Sequence, residues 1–177
     1  MKKKSSDFLT KGLLLALILM VIDLIGGFAH LRFETWFKWI GTIVEVVVLI
    51  VFCIQFGKQK TDGVSFGNVF GYGFKVSLVL AVLIMIYSLI SVFLIFPEYV
   101  DQLLQQTRAG MEAKGNMSED QIDQGIAMTK KFMTPVPLAI FAFLGTLIVG
   151  IIGSLLGAAF TKKSEATPTI FKDNPPA

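Results

Sequence analysis

WFKWIGTIVEVVVLIVFCIQF, residues Trp36 to Phe56, contains a run from Ile43 to Ile54 in which Glu45 is the one charged side chain. A helix lying on a soluble core pairs an apolar stripe with a polar face, and this run has no polar face. A hydrocarbon layer about 30 Å thick takes about 20 helical residues to cross, and each crossing segment must satisfy its own backbone amides. The stretch therefore predicts a transmembrane helix over 36–56, and apolar segments of the same kind predict others over 12–30, 76–96 and 137–160. A composition that is 54% hydrophobic and only 16% charged agrees. The expected fold class is all-α: a polytopic transmembrane four-helix bundle over 1–163, a helical hairpin outside the membrane over 97–134, and a disordered tail over 164–177.

Loop charges set the expected orientation. Lys2, Lys3, Lys4 and Lys11 precede the first span, Lys58 and Lys60 follow the second, and Lys162 and Lys163 follow the fourth, all on one side of a four-span chain. The positive-inside rule makes that side cytoplasmic. The other side carries Arg32 and the 97–134 segment, where Glu98, Asp101, Glu112, Glu119, Asp120 and Asp123 outnumber Arg108, Lys114, Lys130 and Lys131. The expectation is a multi-pass protein of the bacterial inner membrane with both termini cytoplasmic and the hairpin periplasmic. A net charge of +3 carried on these flanks points to anionic lipid headgroups as neighbours and not to nucleic acid. The first span also resembles a secretory signal, but Asp23, placed late in its apolar region, favours an uncleaved anchor.

The hairpin carries its own signals. Pro97 can open a helix with Glu98 and Asp101 near its positive end, and Gly110 or Gly115-Asn116 can close it. Ser118 and Gln121 have capping-box spacing ahead of Ile122, Ile126 and Phe132, a second helix running into Pro135 and Pro137.

Glycines mark the expected close approaches. Gly63, Gly67 and Gly71 recur every four residues beside Phe66, Phe70 and Phe74, a groove next to an aromatic ridge. The last span has Gly145, Gly150, Gly153 and Gly157, the last two forming GxxxG. Small residues at this spacing let helices approach closely, so Gly67 and Gly71 are expected to tolerate large side chains less well than Gly12. Whether Gly63 to Lys75 extends the third span or lies in the interface is left open by the sequence.

The Ser65-Phe66-Gly67 segment with Phe70 and Gly73, together with the glycine-rich last span ending Ala158-Ala159-Phe160-Thr161-Lys162-Lys163, resembles the bacterial membrane family numbered 4199 among domains of unknown function, best represented in Bacteroidota. The resemblance covers nearly the whole chain. It implies a four-helix inner-membrane protein of a Gram-negative bacterium and carries no activity with it.

Polar residues within the spans are the candidates for chemistry. An ionised side chain at mid-bilayer costs about 2.5–3.5 kcal/mol on insertion scales, so Asp23 and Glu45 are expected to face the bundle interior. Asp23 precedes His30 by seven residues and Lys38 precedes Glu45 by seven, which puts each pair on one helix face and predicts a shared polar seam of Asp23, His30, Lys38 and Glu45. One histidine and one cysteine leave no metal site of ordinary ligand count, no cofactor motif is present, and no nucleophile stands in a catalytic spacing. Cys53 reads as a small apolar filler. The expected function is structural or accessory, not enzymatic, in association with lipids, another membrane protein or a second copy of the chain. The alternative is a small proton- or cation-coupled transporter or channel component using Asp23 and Glu45.

Overall fold

The computed structural model describes residues 7–60 and 64–161. Gly63, the lysines at 2–4 and 162–163, and the 164–177 tail lie outside the described residues. The described chain is helical throughout: α1 (Asp7–Phe28), α2 (Thr35–Lys58), α3 (Phe66–Ile90) continued by a π-helical turn over Ser91–Ile95, α4 (Tyr99–Glu112), α5 (Glu119–Phe132) and α6 (Pro135–Phe160). Four segments, Asp7–Phe28, Thr35–Lys58, Phe66–Ile95 and Pro135–Phe160, are long and apolar enough to cross a bilayer, and the chain is a multi-pass membrane protein.

The surface of these helices is that of a bilayer protein. On α1, Leu13, Leu17, Val21 and Ile25 recur every four residues and are about half exposed, while Gly12, Leu15 and Ala16 turn inward. Trp36 and Trp39 stand exposed at the start of α2, the place for an interfacial aromatic anchor.

Side-chain contacts fix the directions. Asp7 meets Tyr72 and Asp23 meets Tyr87, so α1 and α3 are parallel; Lys11 meets Gln55 and α2 runs the other way. Gly150 packs on Ser77 and Gly73 on Ser154, so α6 is antiparallel to α3; Gly153 packs on Leu49 and Gly157 on Cys53, so it is parallel to α2. All four spans thus share a terminal end, carrying Asp7 and Phe160, and a hairpin end, carrying the 29–34 loop and α4–α5.

Local signals explain the boundaries. Ser65 caps α3 by accepting from the Asn68 amide at 3.3 Å, and Pro135 takes the first helical position of α6, where its missing N–H is not needed. Ser118 and Gln121 form the reciprocal capping box of α5. The turn after α4 comes at Gly115, with φ +65°, and α4 runs past Gly110 to Glu112. The third span is longer than the 76–96 segment: Phe66 to Lys75 is continuous with it, and Val69, Tyr72 and Gly73 on that extension are buried.

The packing glycines are not those singled out by the four-residue repeat. At Gly67 and Gly71 a Cβ would meet nothing within 4 Å, so the groove expected there is an open face of α3. The alternate turn does the packing, because Val69, Tyr72, Gly73 and Val76 form the inward stripe. A Cβ on Gly73 would lie 2.7 Å from the Ser154 hydroxyl oxygen, one on Gly150 2.5 Å from Ser77 Cβ, and one on Gly157 2.6 Å from Cys53 Cβ. Gly153 is placed by the same geometry against Leu49, at 3.2 Å. Gly12, expected to be tolerant, is pressed against Val79 at 2.7 Å. With Leu15, Leu49, Val76 and Leu80 fully buried, these contacts close the terminal half of the bundle.

Overpacking a tight helix contact costs about 1–3 kcal/mol. Gly153→Val or Gly157→Val should therefore lower unfolding stability in detergent by that amount, whereas Gly67→Val and Gly71→Val stay within about 0.5 kcal/mol, as surface changes do. Equal losses at all four positions would put the 67/71 face in a contact.

Candidate functional site

The hairpin half of the bundle is built differently. α1 ends in a helix-terminating turn: His30 takes a left-handed φ of +57°, and the Leu31 amide donates to the Gly26 carbonyl at 2.8 Å, the 6→1 bond of a Schellman motif. The reversal sends Arg32 back over the last turns of α1. Its Nη2 donates to Asp23 Oδ2 at 2.5 Å and to the Ser91 hydroxyl at 3.1 Å. Tyr87 donates to the same carboxylate oxygen at 2.8 Å, and Ser91 to it at 3.3 Å. The guanidinium also lies over Phe96, 4.3 Å from the ring centroid, and over Tyr99, at 5.1 Å. Phe33 stacks on Tyr99 at 5.5 Å. Burial pushes the Tyr99 phenol above its ordinary pKa, with the Arg32 charge pulling partly back, so at neutral pH the ring is an uncharged platform for the guanidinium.

The π turn aims these groups. The Phe96 amide reaches the Ser91 carbonyl five residues back, at 2.8 Å, so the buried Phe96 comes five residues after Ser91 rather than three or four.

Beneath this lattice is a cavity of about 440 Å³ bordered by all four spans. Its α2 wall is Lys38, Gly41, Thr42 and Glu45, the i, i+3, i+4, i+7 stripe of one helix face. Asp23 and Arg32 flank it on one side, Tyr87, Ser88 and Ser91 on the next, and Leu138, Phe141 and Ala142 on the α6 side. Glu45, 5% exposed, is ten residues into the 24-residue α2, about 15 Å along a helix of about 36 Å, and so lies near mid-span. Its Oε1 has no hydrogen-bond partner. A Cβ on Gly41 would meet nothing within 4 Å. Of the lining residues only Lys38 and Phe141 are exposed, so the mouth lies between α2 and α6 toward the hairpin end.

Three of the four expected polar residues, Asp23, Lys38 and Glu45, border this one cavity, but they do not form a continuous seam. Asp23 is paired with Arg32 instead of His30 or Lys38. His30 is exposed in the turn that ends α1, where its backbone shape, not its imidazole, does the positioning. Arg32, Tyr87, Ser91 and Tyr99 were not singled out from the sequence. Signals for three of them exist: Tyr87 and Ser91 are four apart on one helix face, and Arg32 is the first cation after a span that contains an acid. Among the described residues no group of three or more His, Cys, Asp or Glu side chains stands close enough to hold a metal ion.

Removing Arg32 strands Asp23. Hydrogen bonds to a charged group are worth about 1.5–3 kcal/mol, and a carboxylate whose side chain is 36% exposed belongs at the lower end of that range. Arg32→Gln and Asp23→Asn should each destabilise the protein, and the double variant should lose less than their sum by at least about 1 kcal/mol in denaturant unfolding from mixed micelles. Additive losses would show that the pair is not coupled.

One comparison with known proteins is positive: the sequence model of a family described as a protein of unknown function, DUF4199, matches residues 10–163. No curated protein and no solved structure matches the chain.

Proposed function

The chain belongs to the DUF4199 family, and from the cavity it builds we propose that it is a non-enzymatic accessory protein of the membrane that holds one small amphipathic molecule taken from the hairpin-side leaflet. The observation that carries this reading is a roomy cavity whose exposed lining residues are Lys38 on α2 and Phe141 on α6. Apolar walls with a few convergent polar groups are the usual form of a small-molecule site. Toward the terminal end the helices close on Gly73, Gly150, Gly153 and Gly157. Asp23 is held by three donors, so the pair of acids does not support a relay through Asp23 and Glu45 together.

A neutral amphiphilic fluorophore, N-phenyl-1-naphthylamine, tests the reading with protein in nanodiscs. Saturable binding above protein-free nanodiscs should appear with one site per chain. Gly41→Leu, which fills the cavity, should weaken it at least tenfold. Gly145→Leu, also with nothing within 4 Å but outside the cavity, should leave it unchanged. No saturable component, or equal effects of the two leucines, would overturn the proposal.

We further propose a bacterial inner membrane with the terminal end in the cytoplasm, supported by Lys11, Lys58 and Lys60 at that end of the described bundle and by the acidic balance of the hairpin. Reporter fusions after Lys60 should read cytoplasmic and one at Gly115 periplasmic; the reverse pattern refutes the orientation.

A further inference from the structure

We propose that the molecule taken by the cavity is an organic ammonium ion, seated between the Glu45 carboxyl and the aromatic rings of the cavity wall; this rests on the reading of the cavity as a ligand site. The first support is a buried acid left without a partner. Arg32 is bound through its Nη2 to Asp23 and Ser91 and lies over two rings, with its buried Nε left without an acceptor, and Lys38 stands exposed at the rim, two helical turns from Glu45. Glu45 borders the cavity and its buried Oε1, beside Gly150, has no donor. A buried carboxyl without a donor or counter-ion carries an unmet desolvation cost, and a ligand cation relieves it.

The second support is the wall. Phe37, Tyr87 and Phe141 line the same space, and the negative faces of aromatic rings bind ammonium groups after desolvation. An inorganic cation would need several oxygen ligands around Glu45, but the other acid on the cavity wall, Asp23, is held by Arg32, Tyr87 and Ser91. The volume, about 440 Å³, suits an organic cation far better than a bare ion.

The test is competition against the naphthylamine fluorophore in nanodiscs by three probes of nearly one shape: benzyltrimethylammonium, its uncharged isostere neopentylbenzene, and phenylmethanesulfonate. The ammonium should displace the fluorophore at a concentration at least tenfold below the isostere, and the sulfonate should be weakest. Glu45→Gln should raise the ammonium's half-displacement at least tenfold and leave the isostere's unchanged. If Glu45→Gln does not fold, the order of the three probes on the wild-type protein decides alone. Equal displacement by ammonium and isostere, or an ammonium constant unchanged in Glu45→Gln, overturns the cation assignment while the cavity reading stands. If the fluorophore itself does not bind the wild-type protein, both fall.

Discussion

The approach of α6 to α2 and α3 is the constraint on which the rest of the structure depends. Inside a bilayer, helices gain little from hiding apolar surface, because lipid tails are as apolar as leucine; they associate through close van der Waals contact and buried hydrogen bonds. Gly150, Gly153 and Gly157 on α6, with Gly73 on α3, let the backbones come near enough for Cys53, Leu49 and Ser77 to fill the remaining space. Ser77 and Ser154 then satisfy their hydroxyls on their own helices and meet at 3.4 Å.

Helices pressed together at one end and carrying larger residues at the other must diverge. Above Gly150 the α6 face becomes Leu138, Phe141 and Ala142, and the α2 residues on the same space are Phe37, Lys38, Gly41, Thr42 and Glu45. The gap that results is not filled by protein. It is roofed by the 29–34 loop and tied by the Asp23–Arg32 pair, which binds α1, the loop and the end of α3 into one polar knot. A cavity with a closed floor and an open flank thus follows from where the glycines are and where they stop.

Much of this was legible in the sequence, and the reasons differ by element. The spans could be read because a run such as Ile43 to Ile54 has no soluble alternative, and Ser118 with Gln121 could be read because a capping box is purely local. Asp23 and Glu45 stood out because ionised groups are costly in hydrocarbon. Glycine spacing was a poorer guide: Gly67 and Gly71 share the four-residue period of Gly153 and Gly157 but occupy the face of α3 that no helix covers, and period alone does not say which face is covered. Arg32 was missed because its meeting with Asp23 depends on His30 adopting a left-handed backbone, a conformation a histidine seldom signals.

The order of synthesis gives the α6 contact a further meaning. α2 and α3 emerge first, and the helix that completes their shared face comes only after the chain from 96 to 134, which at about 5–20 residues per second is roughly 2–8 s of translation. During that interval Ser77 lacks Ser154, Cys53 lacks Gly157, and the side of Glu45 that Gly150 covers is turned to lipid. The growing protein passes through a three-span stage whose unfinished face carries Ser77 and one side of Glu45. The hairpin that separates α3 from α6 therefore sets how long the membrane must tolerate that face.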